Sequence, residues 1–256
     1  MIKYELIDGV GKITLNRPNK YNAFVRDMAL EFHRIIDKCK EDTNVRAILI
    51  TGEGKAFCAG QDLEEATDPN GPDLTQIVRE HYNPIITKIR NIEKPVIAAV
   101  NGVAAGAGAN IALSCDIVIA THSAVFIQAF SKIGLIPDSA GTFFLPRLIG
   151  LQRATALMMT GEPVGAAKAV EIGMIYKYYS DESFKEESLK FSSKLAKMPT
   201  FGLGLTKKLL NSTYSNNLNQ QLEMEDECQT LAGKSYDFKE GVQAFLEKRK
   251  AVFKGE

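Results

Sequence analysis

This 256-residue chain lacks an excess of charge of either sign: lysine and arginine number 31, aspartate and glutamate 31, and the formal net charge is zero. That balance argues against a broad footprint for nucleic acid or an anionic membrane surface, so an anionic ligand must be held by a few local cations. Cysteine is scarce as well. Cys39, Cys58, Cys115 and Cys228 stand far apart with no CxxC pair, which excludes a disulfide framework or zinc site from expectation and favours reduced, mostly buried thiols in a cytoplasmic protein. No apolar run approaches the roughly 18 residues of a membrane helix, and no basic stretch followed by an apolar one opens the sequence, so neither a membrane span nor a leader is expected. Nucleotide loops are missing too. Gly106-Ala107-Gly108-Ala109-Asn110-Ile111 lacks the third glycine of a dinucleotide fingerprint, and Gly233-Lys234-Ser235 lacks the upstream glycine and strand of a phosphate loop. Asp116 and the three histidines, His33, His81 and His122, have no motif partner and read as structural.

The chain does carry a recurring strand, loop and helix. Tyr4 to Ile7 and Gly11 to Leu15 alternate like a hairpin, and Met28, Phe32, Ile35, Ile36 and Cys39 recur at helical spacing. Val45 to Thr51 and Val96 to Val100 are buried-strand candidates, and Leu74 to Ile92 a helix that Pro84 is expected to kink. Strand signals stop near Tyr179. Helices are expected over Asp181 to Lys197, Gly202 to Tyr214, Leu218 to Leu231 and Phe238 to Phe253, giving an α/β core followed by a helical region, with no long linker between them.

Two glycine-punctuated turns follow apolar, β-branched runs: Ala47 to Gly52 leads to Phe57-Cys58-Ala59-Gly60-Gln61-Asp62, and Val96 to Gly102 leads to Gly106-Ala107-Gly108. Glycine lets a backbone approach a ligand closely, and two N–H groups converging from separate strand ends stabilise charge developing on a carbonyl oxygen. An acyl substrate is the implied class. A third segment, Ile133-Gly134-Leu135-Ile136-Pro137-Asp138-Ser139-Ala140-Gly141-Thr142, holds one carboxylate among apolar neighbours. Desolvation by Ile136, Phe143 and Phe144 would raise its pKa and suit it to proton exchange with a carbon acid, whereas a plain structural role would have Asp138 cap a helix starting near Ser139.

The blocks Ala56 to Leu63 and Asn101 to Gly108, with Leu15 to Ala23 before them and Gly241 to Arg249 after, resemble the crotonase (enoyl-CoA hydratase/isomerase) superfamily over nearly the whole chain. The resemblance implies an α/β fold, a crotonase-like spiral of repeated ββα units with a C-terminal helical region. It divides the chain into a core over 1–200 with a CoA-thioester site, and a region over 201–256 used in oligomerisation and in covering the site. It also implies homotrimers or paired trimers. The oxyanion donors become the N–H groups of Gln61 and Ala107, and Asp138 takes the position of the catalytic acid of the superfamily's isomerases. The hydratases' two glutamates are replaced by Asn110 and Phe130, neither of which can carry a proton at neutral pH, so hydration is disfavoured.

Asn101 to Gly108, Gln128 to Lys132, Leu135 to Asp138 and Pro199 to Leu205 further resemble the superfamily's isomerases of 1,2-epoxyphenylacetyl-CoA, which couple enolate formation to epoxide opening and ring expansion. A 3,2-enoyl-CoA isomerase is the alternative, and a weak hydratase or a non-catalytic CoA-binding protein follow. Lys20, Phe245 and Lys248 match positions that contact coenzyme A in the family, although a lone lysine is more often a solvated surface residue. Ala59, Gln61, Asp62, Leu63, Gly106 and Phe130 complete the expected substrate site. No metal and no separate cofactor are expected, since coenzyme A enters with the substrate.

Overall fold

Alternating side chains make the N-terminal residues an antiparallel pair, β1 (Ile2–Ile7) and β2 (Val10–Leu15), in the computed structural model, which describes all 256 residues. The next strands come as couples separated by a short turn: β3 (Ala47–Gly52) with β4 (Ala56–Cys58), β5 (Val96–Val100) with β6 (Val103–Ala105), and β7 (Ile117–Thr121) with β8 (Val125–Ile127). The first of each couple joins a six-stranded sheet and the second a four-stranded one, which β9 (Pro163–Gly165) and β10 (Lys177–Tyr179) complete. The order is β1-β2-β3-β5-β7-β10 in the large sheet, parallel from β2 onward, and β4-β6-β8-β9 in the small one, parallel except between β8 and β9. Helical segments follow each couple. The result is the spiral of ββα units that the resemblance implied.

The unbroken apolar runs are explained by burial on both faces. Ile48 and Ile50 of β3 enter the main core with Phe24, Phe32 and Val100, while Ala47 and Leu49 face the other way and pack under the helix Phe184–Ala196. The four cysteines are all buried and unbridged. No helix is long and apolar enough to cross a membrane.

Pro84 disturbs its helix as expected, but through a change of pitch. The run from Leu74 to Asn91 contains a π-helical turn, Ile77–Tyr82, in which Asn83 donates to the Val78 carbonyl, five residues back. Proline has no N–H for the α-helical ladder and its ring crowds the carbonyl four residues earlier, so the wider turn ahead of it relieves the clash. The last helix corrects an expectation: it spans Tyr236–Leu246 and stops short of Phe253. Its own side chains catch the tail, with Asp237 accepting from the N–H groups of Lys254 and Gly255, and Glu240 from Arg249 and Val252.

The remaining C-terminal helices are Thr200–Ser212 and Leu218–Gly233. Lys207 anchors the first of them: its buried ammonium donates to the Ile89 carbonyl at 2.7 Å and pairs with Asp116 at 2.8 Å. Asp116 also holds Arg90 and accepts the Val96 N–H. Its structural role is therefore to join the helical region to the sheet.

The two signature loops meet with no side chain between them, and a Cβ on Gly108 would stand 2.2 Å from the Cys58 carbonyl oxygen. Gly108→Ala should therefore lower the free energy of unfolding by at least about 1–3 kcal/mol, the usual cost of overpacking. Gly202, inside a helix with nothing within 4 Å of its would-be Cβ, gives the opposite sign: Gly202→Ala should add about 0.5–1 kcal/mol. Urea unfolding of the two variants checks both signs.

Candidate active site

β4 delivers the first loop. Phe24 takes the Gly60 carbonyl at 2.7 Å and returns its own carbonyl to the Asp62 N–H at 2.9 Å, so in this parallel bridge the Gln61 N–H faces away from Phe24. β6 delivers the second loop, where Gly106 turns with φ +53° and the helix Ala107–Ser114 begins. As the first helical residue, Ala107 has no intrahelical acceptor for its N–H, and the positive end of the helix dipole lies there. The two loops touch at Gly60, whose φ is +93° and whose would-be Cβ stands 3.1 Å from the Ala105 oxygen and 3.3 Å from the Ala107 nitrogen. Any side chain at position 60 would part them. The Gln61 peptide follows directly, next in the chain to the point where the two loops touch.

Asp138 occupies a turn against the same helix. Its carbonyl accepts from Asn110 Nδ2 at 2.9 Å, and Asn110 Oδ1 accepts from Gln128 Nε2 at 2.8 Å. Its carboxylate accepts from the Ser139 hydroxyl at 2.8 Å. The capping alternative does not hold: the helix begins at Gly141 behind Ala140, and no side chain caps it. Burial raises the Asp138 pKa above the ordinary carboxylate value, and the Ser139 hydroxyl opposes that shift without cancelling it. One expected source of the burial is corrected, because Ile136 is 81% exposed and Phe143 48%. Both point outward from a turn whose inner side faces Asn110. Phe130 is buried with its ring 3.8 Å from the would-be Cβ of Gly106, flanking the second loop.

Tyr82, Glu65 and Gln128 belong to this site and had not been anticipated. The Tyr82 hydroxyl donates to Gln61 Oε1 at 3.0 Å, and Gln61 Nε2 donates to Glu65 at 2.8 Å, so the Gln61 side chain is held at both ends. Burial pushes the Tyr82 phenol well above its ordinary range, and the nearby acids, Cys58, Asp138 and Glu65, push the same way. A signal was available in Pro84, since π-helical turns cluster at functional sites and Tyr82 ends one.

The expected coenzyme A contacts divide. Ala59 is tied to the Tyr21 carbonyl at 3.0 Å, Leu63 is 53% exposed beside the first loop, and Lys20 reaches Glu64 at 2.5 Å. The Asp62 side chain pairs with Arg17 at 2.8 Å and accepts the Glu64 N–H; burial would raise its pKa, but the Arg17 hydrogen bond brings it below the ordinary value. Phe245 and Lys248 are not brought to the site. Arg46, just before β3, holds the carbonyls of Phe253 and Met198, which docks the C-terminal tail at the opposite end of β3, about 20 Å from Gly52 at 3.3 Å per residue. Phe245 shares a cleft there with Pro199 and Phe253.

Residues 5–256 match the Enoyl-CoA hydratase/isomerase family. The chain is 47% identical to the 1,2-epoxyphenylacetyl-CoA isomerase of Escherichia coli (strain K12), over 96% of this chain and 95% of that one. It is 42% identical to the probable enoyl-CoA hydratase of Rhodobacter capsulatus, over 99% and 98%. A crystal structure of this type from Mycobacterium abscessus superposes with a TM-score of 0.94 at 37% identity, covering 100% of both chains.

The raised pKa of Asp138 gives a stability test of defined sign. The folded protein holds this proton more tightly than the unfolded chain, so stability falls as pH rises from the ordinary aspartate pKa through the raised one. Asp138→Asn should therefore increase the denaturant midpoint at pH 7, with the gain vanishing below the ordinary value of about 3.9. A capping role would instead leave the variant close to wild type at pH 7, because asparagine caps a helix about as well as aspartate.

Proposed function

The chain belongs to the enoyl-CoA hydratase/isomerase family, whose members act on acyl-CoA thioesters, and from that premise we propose that it is an isomerase whose physiological substrate is 1,2-epoxyphenylacetyl-CoA. The observation that carries this reading is the pairing of a single desolvated carboxylate, Asp138, with the Gln61 and Ala107 loops, where Asn110 and Phe130 stand in place of a second and third proton carrier. The Asp138 carboxylate takes the proton from the carbon next to the thioester. The electron pair moves onto the thioester oxygen, where the two N–H groups stabilise it as an enolate in a site with little competing water. Asp138 then returns the same proton two carbons away, and a double bond moves into conjugation. Nothing is gained or lost.

The same transfer serves a 3-enoyl-CoA, whose double bond moves from position 3 to position 2, and the expanded ring that forms when an aromatic epoxide opens to its oxepin. A 3,2-enoyl-CoA isomerase is therefore the second reading, favoured by the fact that one carboxylate suffices for both. Hydration is a poor fit. Asn110 spends its amide on Asp138 and Gln128, and Phe130 fills the space beside Gly106 with an aromatic ring.

The oligomer is part of the proposal. Leu210, Tyr214, Leu218, Leu222, Phe245 and Leu246 are each more than half exposed, an apolar surface suited to a homotrimer or a pair of trimers. In such an assembly Phe245 and Lys248 would serve a neighbouring copy's coenzyme A, while Lys20 would exchange Glu64 for a phosphate of its own.

Three thioesters test the reading: an aromatic 1,2-epoxide, a 3-enoyl-CoA and crotonyl-CoA. Isomerisation of the first two is expected, with the epoxide preferred, together with very weak hydration of the third. Asp138→Asn should abolish both isomerisations while leaving CoA-thioester affinity within severalfold, because it keeps size and hydrogen bonding but removes the proton carrier. Rapid crotonyl-CoA hydration, or near-normal isomerisation by the variant, would overturn it.

A further inference from the structure

A carboxylate that takes a proton from one carbon and returns it to another must stand still relative to the enolate oxygen, and nothing in the Asp138 side chain itself provides this. We propose that Asn110 and Gln128 are positioning residues for Asp138, forming a buried amide relay that locks the carboxylate-bearing turn to the helix carrying the Ala107 donor; this rests on the isomerase reading above.

The direction of every hydrogen bond in the relay follows from its end. The Asp138 carbonyl can only accept, so Asn110 must present Nδ2 to it, at 2.9 Å. Asn110 Oδ1 then faces the other way and needs a donor, which Gln128 Nε2 supplies at 2.8 Å. Asn110 is 1% exposed and Gln128 2%, so solvent does not compete for either amide. Orienting Gln128 to donate leaves its Oε1 buried without a partner. The Gln128 side chain thus makes one hydrogen bond, the donation to Asn110.

The turn itself needs restraint. Ser139 and Ala140 follow Asp138 with φ of 49° and 58°, consecutive left-handed residues that are not glycine, and such conformations persist only where surrounding contacts impose them. Asn110 Nδ2 and the Gly141 N–H, both 2.9 Å from the Asp138 carbonyl, are those contacts. Asn110 lies on the first turn of the helix Ala107–Ser114, its N–H directed at the Gly106 carbonyl at 3.2 Å. The relay thus spans the acid and the oxyanion donor through one rigid element. Gly141 completes it, because a Cβ there would fall 2.3 Å from Asn110 Nδ2 and drive the amide away. Glutamate at position 110 would set a carboxylate oxygen against the Asp138 carbonyl, so the residue of a water-splitting site and the residue of this relay exclude each other.

The test uses the full-length protein with a 3-enoyl-CoA, comparing Asn110→Leu, Gln128→Met and the double variant. Asn110→Leu should lower kcat by about 10- to 100-fold, as misplacement of a reacting group by about 1 Å does, with KM within about threefold. Gln128→Met removes both the donor and the unpaired acceptor, so it should lower kcat severalfold while its thermal midpoint stays within about 2 °C of wild type, a split that a merely structural role would not produce. Because the two residues act as one chain, the double variant should be no slower than Asn110→Leu within about twofold. Wild-type kcat in a folded Asn110→Leu or Gln128→Met protein, or losses that multiply in the double variant, would overturn the relay. Asp138→Asn at wild-type rate would overturn the isomerase reading and the relay together, whereas an inactive Asp138→Asn beside a fully active Asn110→Leu overturns the relay alone.

Discussion

Two stretches of main chain, Cys58 to Gln61 and Gly106 to Gly108, lie against each other with no side chain between them, and the position of every group in the site follows from that contact. It brings the N–H of a strand-end loop beside the N–H of a helix start, although the two residues are 46 apart in the chain (107 minus 61). The contact exists because β3 and β5 are neighbours in one sheet while β4 and β6 are neighbours in the other. Each ββα unit therefore ends at the same edge of the spiral as the last. In the proposed mechanism a carbonyl polarised there meets two fixed dipoles, the setting in which such donors are most effective.

Around that contact the chain accepts local costs. Asp138 is held where its charge is disfavoured, Ser139 and Ala140 adopt left-handed conformations, Gln128 buries an unpaired acceptor, and a π-helical turn interrupts the segment that carries Tyr82. None of these features recurs in the sheet interior, where Ile48, Ile50, Val96 and Val100 are fully buried and apolar. Left-handed residues also occur at Asp8, Tyr21, Asn22 and Lys248, and unpaired buried atoms on Tyr4 and His81, so what distinguishes the site is the meeting of such features with a desolvated acid on one turn.

The fold and the two loops were readable because their signals are local. Apolar runs ending in glycine mark strand ends, and the alternation of Ala47 and Leu49 with Ile48 and Ile50 matches burial on two faces. What escaped the sequence was set by packing at a distance. Tyr82 meets Gln61 across 21 positions and Gln128 meets Asn110 across 18, and no periodicity announces such pairs. Ile136 stands two residues before Asp138 in sequence and was expected to bury it, yet it points to solvent. Phe245 and Lys248 were expected at the site from the resemblance alone, and their placement depends on where the tail docks, which Arg46 decides from the far end of β3.

The central claim is that Asp138 and the two N–H donors together make an enolate from a CoA thioester. Exchange of the proton next to the thioester carbonyl for deuterium in D2O, followed by NMR on a saturated acyl-CoA that cannot isomerise, measures this step apart from any rearrangement. Wild-type protein is expected to catalyse the exchange and Asp138→Asn to lose it while still binding the thioester. Exchange that is undetectable with the wild type under saturating thioester, or that survives unchanged in Asp138→Asn, would contradict the claim.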